Sequence, residues 1–258
     1  MNLKPFARYV YGNVPGAAAV RFAVKDIMAS RVRKPEFDAV TKFDIGDGLI
    51  IDVGANRGQS IAAFKALSPR SRVIAFEPEP RSAKQLDARY GKDRSVEIET
   101  CALGDKQDTI TFFVPSYGYW NCDGMAATSN AEATAWLNDP TRMFRFDKRK
   151  LSVKEESVAL RTLDSYELHP RLLKLHAQGA ELAILLGAKE TVLKHCPLLM
   201  CAFPKSEVTA ILRKWGYSPY SYVRSHFQSG ISDSRFTFTW FLASSHLAQL
   251  QDQKRRIR

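Results

Sequence analysis

The sequence predicts an α/β fold with a mostly parallel sheet covered by helices on both faces. Short apolar runs typical of buried strands alternate with longer helix-compatible stretches through most of the chain. The first run, residues 49–53 (LIIDV), stops at Gly54, and a polar turn containing Gly58 leads into a helix. The next strand ends in Glu77. A strand end, a glycine turn and a helix N-terminus, with a carboxylate about 20 residues further on, form the arrangement that holds a nucleotide-like ligand in such sheets.

Prolines and glycines divide the chain into its elements. The helix after the glycine turn ends before Pro69, and the next helix ends at Gly91. We therefore expect strands at residues 49–53, 72–77, 96–102, 108–114, 157–161, 172–176, 197–203, 217–223 and 235–243. Helices are expected at residues 58–67, 80–90, 180–194 and 205–214, and a basic amphipathic helix at residues 17–32. Residues 115–150 show no regular pattern.

These elements predict one domain with an extension at each end. Residues 1–45 form a basic helical extension, residues 46–246 the α/β domain, and residues 247–258 a basic C-terminal tail. A chain of 258 residues that is 45% hydrophobic is large enough for a core. No apolar run approaches the roughly 18 residues of a membrane span, and we expect no signal peptide. The four cysteines show no disulfide spacing, so the cytoplasm is the simplest compartment.

The formal net charge is +11, and the basic residues concentrate in residues 25–34, 142–154 and 254–258. This charge is compatible with an anionic acceptor such as a phosphate-linked or lipid-linked sugar, with an anionic membrane surface, or with nucleic acid. The sequence contains no recognisable RNA-binding module, so we do not expect a nucleic acid partner. Peripheral contact with the inner face of the membrane stays an alternative.

The glycine turn discriminates between nucleotide ligands. A dinucleotide fingerprint that starts at Gly54 requires glycines at the positions of Asn56 and Gln59. A phosphate-binding loop requires a Gly-Lys-Ser/Thr ending, which the sequence lacks. Asp52 lies on the first strand, and Glu77 ends the second. These two carboxylates suit a ligand that has a positively charged group and a free ribose. The residues therefore favour S-adenosylmethionine.

Five sequence blocks occur in the order seen in one family. They are IDVGANRGQS (51–60), VIAFEPEP (73–80), CALGD (101–105), RTLDSY (161–166) and LKLHAQGAEL (173–182). In this order and content the chain resembles the FkbM-type methyltransferases. The resemblance implies a class I, Rossmann-like methyltransferase fold with a seven-stranded, mostly parallel sheet and an antiparallel last strand. It also implies S-adenosylmethionine as the methyl donor and O-methylation, often of a sugar hydroxyl.

Residues at the strand ends are the candidates for binding the donor. Asp52 can orient the glycine turn or reach the ammonium group of the ligand, and Glu77 can accept both ribose hydroxyls. Cys101 and Ala102 end the third strand, where they either flank the adenine or pack in the core. The full set of expected donor residues is Asp52, Gly54, Ala55, Asn56, Gly58, Glu77, Cys101 and Ala102.

The candidate catalytic residues are His176 and Glu181, which flank the turn at Gly179 after the fourth parallel strand. The family usually has an aspartate where this chain has His176. A histidine with the ordinary pKa near 6.5 is mostly neutral at pH 7.5 and can accept a hydroxyl proton. Glu181 either contributes to catalysis or stabilises its own helix N-terminus. Gln178 can orient a sugar hydroxyl.

Residues 116–130 are a candidate lid over the acceptor. Tyr119 and Trp120 offer rings that can stack on a sugar face, and Asn121 offers hydrogen bonds, although a packed loop is the alternative. We expect no metal ion, because the chain has only five histidines and none is paired at ligand spacing.

The leading hypothesis is an S-adenosylmethionine-dependent O-methyltransferase that methylates a sugar hydroxyl in a glycan or glycolipid precursor. An RNA methyltransferase is the first alternative, because the chain is basic. A donor-binding homologue without activity, acting as a binding protein, is the second, because His176 replaces the usual aspartate.

Overall fold

The computed structural model describes residues 4–28, 34–122, 124–139, 141–233 and 235–256. Residues 29–33 of the expected basic helix and residues 257–258 of the tail lie outside the described residues. The strands are β1 Leu49–Val53, β2 Arg72–Phe76, β3 Val96–Glu99, β4 Ala102–Leu103, β5 Asp108–Tyr117, β6 Trp120–Asn121, β7 Leu151–Arg161, β8 Pro170–Leu175, β9 Leu198–Ala202, β10 Tyr217–Val223, β11 His226–Ser229 and β12 Phe238–Ala243. The α-helices are α1 Lys4–Asn13, α2 Ala17–Met28, α3 Gln59–Leu67, α4 Pro80–Tyr90, α5 Asn130–Ala135, α6 Glu181–Leu186, α7 Lys189–His195, α8 Ser206–Lys214 and α9 Ser244–Arg256.

Eight strands form the central sheet, in the order β11-β10-β12-β9-β8-β1-β2-β3. The strands from β9 to β3 run parallel, whereas β12 is antiparallel to both β9 and β10. This confirms the predicted mostly parallel sheet with an antiparallel last strand. The sheet has one strand more than the expected seven, because β11 pairs with β10 as an antiparallel hairpin. Its short polar sequence, HFQS, carries no strand pattern.

Alternate side chains of the buried strands pack on opposite faces of the central sheet. On β1, Ile50 packs in one cluster with Phe64 of α3 and Trp240 of β12. Its neighbour Ile51 packs in another cluster, which includes Ile184 of α6. Because successive side chains of a strand point to opposite faces, helices are needed on both sides. The alternation of strands and helices predicts this coverage correctly.

The other four strands form a second hydrogen-bonded sheet, in the order β4-β7-β5-β6. β5 and β7 pair antiparallel from Asp108 opposite Leu160 to Tyr117 opposite Leu151. The strand predicted at residues 96–102 is wrong as a single element, because the chain leaves the central sheet after β3 and enters the second sheet at β4. The predicted strands 108–114 and 157–161 fall within β5 and β7. No sequence pattern indicates that these two strands pair with each other.

The N-terminal extension packs on the end of the second sheet. The Tyr119 N–H donates to the carbonyl oxygen of Gly12, at the end of α1, over 3.1 Å. Gly118 has φ +54°, and a Cβ atom there would lie 2.1 Å from the same oxygen. Buried side chains from α2, the β5–β6 hairpin and the segment after α5 form one small cluster: Ala18, Tyr117, Trp120, Leu137 and Met143. Part of the segment that lacks a sequence pattern therefore packs against the extension.

Two further boundaries differ from the sequence-based expectation. The helix predicted at residues 180–194 is split into α6 and α7 at Gly187, where a Cβ atom would lie 1.9 Å from the Gly104 carbonyl oxygen. Close backbone packing explains the break. The first ten residues of the basic tail, 247–256, belong to α9. Over the described ranges, none of the helices is long and apolar enough to cross a membrane.

Candidate active site

The glycine turn between β1 and α3 is tied to both neighbouring strands. The Gly54 N–H donates to the Phe76 carbonyl of β2 over 2.9 Å, and the His176 N–H donates to the Val53 carbonyl over 3.1 Å. Gly54 has φ +71°, and a Cβ atom there would lie 2.0 Å from the His176 carbonyl oxygen. Only glycine fits this position, and the turn lies directly against the end of β8.

A buried ion pair fixes the same turn. Lys174 of β8 places its Nζ 2.7 Å from Asp52 Oδ1, and the two side chains are only 2% and 0% exposed. The ammonium group also donates to the carbonyl oxygens of Val53 and Gly54, over 3.1 and 2.9 Å. Asp52 Oδ2 accepts from the Ser60 hydroxyl over 2.5 Å. With both oxygens engaged, Asp52 is placed to orient the turn, the first of its two expected roles.

Glu77 follows β2 and binds the glycine turn through its side chain. Its Oε2 accepts from the Asn56 N–H over 2.6 Å, and its Oε1 accepts from the Glu79 N–H over 3.1 Å. Burial raises the pKa of Glu77 from 4.5 to about 7; the two N–H groups oppose this shift, and the Glu79 carboxylate adds to it. Its two oxygens are thus fixed at the strand end where a ribose diol is expected.

Supporting residues complete the turn. Ala55 is buried in the core with Phe64. Gly58 has φ +75°, and its carbonyl oxygen accepts from the Tyr90 hydroxyl over 3.0 Å. Because a Cβ atom on Gly58 would lie 2.7 Å from the Tyr90 ring, this glycine is needed for packing. Direct contacts of Ala55 and Gly58 with the donor stay predictions.

A cavity of about 350 Å³ opens at these strand ends. Residues from the second sheet, including Ile110, Phe112 and Leu160, contribute apolar wall. The predicted site residues that line the cavity are Gly54, Asn56, Glu77, Cys101, Ala102, His176 and Gln178.

The polar atoms of this cavity fit S-adenosylmethionine. Asn56 Oδ1 is buried and has no hydrogen-bond partner among the described residues. Such an orphaned acceptor matches the ammonium group of the donor, because a buried polar atom is costly unless it is paired. Glu77 matches the ribose hydroxyls, and the apolar wall suits the adenine ring. We therefore expect Asn56 and Glu77 to make the main polar contacts.

Cys101 and Ala102 are buried and also line the cavity, and their contact with the adenine stays a prediction. Cys101 Sγ lies 3.3 Å from the Tyr166 hydroxyl, which donates to Glu99 Oε2 over 3.1 Å. Burial raises the pKa of the Cys101 thiol, so the group stays protonated at neutral pH. An uncharged thiol at this place suits an adenine neighbour.

His176 lies in the cavity wall, partly buried beside two aromatic rings. Its ring centroid is 5.7 Å from that of Phe238 and 6.4 Å from that of Phe203. Burial, with the positive charges of Lys174 and Lys34, lowers the pKa of His176 from 6.5 to about 3. The ordinary pKa expected from the sequence is therefore wrong, because desolvation disfavours the imidazolium. His176 is neutral over the whole physiological range.

Glu181 holds the loop that carries Gln178. Its Oε1 accepts from the Ala177 N–H over 2.8 Å, and its Oε2 accepts from the Gly179 N–H over 2.9 Å. Gln178 has φ +51°, lines the cavity and donates through Nε2 to the Gly124 carbonyl. Because both oxygens of Glu181 face backbone amides, the geometry supports a positioning role. A catalytic role for Glu181 stays a prediction.

The other three expected acceptor residues do not line the donor cavity. Trp120 is 5% exposed and packs edge-on against Tyr11 and Trp136. Tyr119 is 62% exposed, and with Asn121 it lines a second cavity of about 600 Å³, bounded by α2 and α4. Contacts of these residues with an acceptor stay predictions.

Lys174 and Glu79 are site residues that the sequence analysis missed. Glu79 accepts from the N–H groups of Arg81 and Ser82, over 3.1 and 2.8 Å, and so caps α4 just after Glu77. A lysine inside the apolar run LLKL was a usable signal, since a buried lysine requires a partner.

Among the described residues, no group of three or more His, Cys, Asp or Glu side chains could hold a metal ion. The expectation of metal independence stays a prediction.

The fold and the strand-end site together define a class I S-adenosylmethionine-dependent methyltransferase. Comparison with known families agrees: the profile described as the Methyltransferase FkbM domain matches residues 52–219. The chain belongs to the FkbM methyltransferase family, and S-adenosylmethionine is its methyl donor.

Individual relatives share only a modest part of the sequence of this chain. The 2-O-methyltransferase NoeI from Sinorhizobium fredii is 26% identical over 183 residues, covering 64% of this chain and 70% of that protein. Methyltransferase 1 from Beauveria bassiana is 27% identical over 189 residues, covering 69% of this chain and 71% of that protein. The crystal structure of Methyltransferase FkbM from Methylobacillus flagellatus KT matches with a TM-score of 0.51 and 15% identity, over 87% of this chain. The match spans 52% of that structure's chain, and the likeness shows the fold alone.

Proposed function

We propose that this methyltransferase methylates a hydroxyl of a sugar in a glycan or glycolipid precursor, in the cytoplasm. The observation that carries the proposal is a neutral histidine, His176, in the wall of the donor cavity, with its backbone carbonyl against the glycine turn. A neutral imidazole can accept a hydrogen bond from a hydroxyl and then its proton. The name of the relative NoeI, a 2-O-methyltransferase, supports oxygen as the methylated atom.

In this proposal the chain binds and orients both reactants. Bound S-adenosylmethionine would supply an electrophilic methyl group. Glu77 holds the ribose, Asn56 pairs with the ammonium group, and the apolar wall excludes water. His176 holds the acceptor hydroxyl and takes its proton. With a pKa of about 3 the imidazole is a weak base, so we expect orientation to be its larger contribution.

Transfer of a labelled methyl group to a panel of free and linked sugars tests the proposal. We expect a sugar acceptor to be labelled, and His176→Ala to lower turnover about 10²-fold, the loss that a misplaced reactant can cause. His226→Ala is the matched control, because His226 is exposed on β11. Between pH 6 and 8 the wild-type rate should show no inflection from His176.

Two results would contradict this function. Labelling of an RNA oligonucleotide, with no sugar in the panel labelled, would favour the RNA alternative. A His176→Ala enzyme that turns over at the wild-type rate would leave this residue structural.

A further inference from the structure

We propose that the second cavity, bounded by α2, α4 and the β5–β6 hairpin, binds a phosphate group of the acceptor. This inference rests on the proposed function, since the acceptor is then a sugar linked to phosphate. The cavity measures about 600 Å³. The charged side chains among its described lining residues are all arginines: Arg57, Arg81 and Arg89.

Two of these arginines are held in place by their neighbours. The guanidinium carbon of Arg57 lies 4.4 Å from the centroid of the Phe22 ring of α2. Arg89 of α4 donates through Nη1 to the Arg57 carbonyl oxygen over 3.2 Å. Stacking uses the face of a guanidinium, whereas the N–H groups that bind phosphate lie in its plane. Guanidinium groups that are already oriented lose less freedom when they bind a tetrahedral anion.

Consecutive residues of the glycine turn line the second cavity and the donor cavity. Asn56 lines the donor cavity and Arg57 lines the second one, although their Cα atoms are only about 3.8 Å apart. On the hairpin side, Asn121 lines the second cavity and Gly124 lines the donor cavity. In this proposal a single acceptor spans both cavities.

The order of groups along this path matches a phosphate-linked sugar. The arginines are placed for the phosphate, and the exposed ring of Tyr119 offers a face on which a sugar can stack. The reacting hydroxyl then lies toward His176 in the donor cavity. This arrangement also explains why Tyr119 and Asn121 line a cavity other than that of the donor.

Calorimetry of the full chain with inorganic pyrophosphate at low salt tests the site. We expect wild-type protein to bind, and Arg57→Ala and Arg81→Ala each to weaken binding about tenfold, as expected for loss of a charge-assisted contact. Arg94→Ala is the matched control, because Arg94 is exposed and lines neither cavity. Affinity for S-adenosylhomocysteine should stay the same in all three variants, which shows that they are folded.

Competing ligands identify the source of the phosphate. Tighter binding of uridine diphosphate than of pyrophosphate supports a nucleotide-linked sugar, and tighter binding of geranyl diphosphate supports a lipid-linked one. Absence of pyrophosphate binding, or equal affinity of the wild type and Arg81→Ala, overturns the site. An oligoribonucleotide that binds more tightly than every diphosphate, with the same arginine dependence, overturns the small-molecule assignment.

The site and the proposed function can fail separately. Methyl transfer to neutral sugars without pyrophosphate binding overturns the phosphate site and leaves the proposed function intact. Arginine-dependent pyrophosphate binding without transfer to any sugar supports the site and contradicts the proposed function.

Discussion

The donor cavity has two walls that are built in different ways. The wall at the ends of β1, β2 and β8 is fixed by polar contacts between adjacent strands, such as the ion pair of Lys174 with Asp52 and the bonds of Glu77 to the turn. The other wall comes from the second sheet and the segment after β6, and the β5–β6 hairpin of this sheet rests on α1 through Gly12. The first wall is set by local strand–turn–helix chemistry, whereas the second depends on packing across the whole chain.

Loss of Lys174 should cause the largest effect on the first wall. Lys174→Met leaves the Asp52 carboxylate buried without its cation, which typically costs about 3–5 kcal/mol. We expect the free energy of unfolding to fall by that amount in urea titrations. Lys189→Met, an exposed lysine at the start of α7, is the control and should change it by less than about 0.5 kcal/mol. A fall in Lys174→Met no larger than in the control would mean that the ion pair does not hold the turn.

The two walls also differ in how far the sequence predicts them. The glycine turn, Glu77 and the strand that ends at His176 follow from strand ends and spacing, because a strand–turn–helix unit fixes them locally. Strands β4 to β7 form a separate sheet, in which the register of β5 and β7 is set by pairing between segments far apart in the chain. The low pKa of His176 comes from its burial, beside Phe238, and from the charges of Lys174 and Lys34. Such contacts leave no periodic signal in a single sequence.

Removal of the Glu77 carboxylate tests directly whether the first wall binds the donor. Glu77→Ala loses two charge-assisted hydrogen bonds to the ribose, each contributing roughly 1.5–3 kcal/mol, so affinity for S-adenosylmethionine should fall about 10²-fold or more. Calorimetry measures this loss. Glu97→Ala, an exposed glutamate on β3, is the matched control and should bind as the wild type does. Equal affinities of the two variants would remove Glu77 from the donor site.

A disturbance of the second wall should lower activity on the acceptor and leave the affinity for the donor unchanged. Gly118→Ala adds a Cβ atom 2.1 Å from the Gly12 carbonyl oxygen, so the hairpin must move away from α1. A displacement of about 1 Å can cost up to about 10²-fold in rate, and we expect kcat/KM for the acceptor to fall by tenfold or more. Affinity for S-adenosylhomocysteine should change by less than about twofold, since the strand-end contacts are untouched.

Gly216→Ala is the control for backbone strain in that experiment. Gly216 also has a positive φ, +86°, but a Cβ atom there meets nothing within 4 Å. Any strain from the left-handed backbone is therefore shared, and only the clash with α1 differs. Weakened donor binding in Gly118→Ala but not in Gly216→Ala would show that the two walls are coupled.

The smallest expected effect is the pH dependence of ligand affinity at Glu77, in the first wall. Adenosine carries the ribose diol but no group that titrates between pH 6 and 8, so it reports on Glu77 alone. The pKa of Glu77 is about 7 without ligand, and ribose hydroxyls that donate to the carboxylate should lower it in the complex. Protonation therefore opposes binding, and affinity should rise with pH. The ionised fraction of Glu77 grows from about 0.1 at pH 6 to about 0.9 at pH 8, which predicts an increase in affinity of about tenfold.

Glu77→Gln, which cannot ionise, is the control and should bind adenosine with no pH dependence. A flat profile in the wild type would mean that the carboxylate is already ionised at pH 6 or that it does not contact the ribose, and the Glu77→Ala affinity separates these two cases.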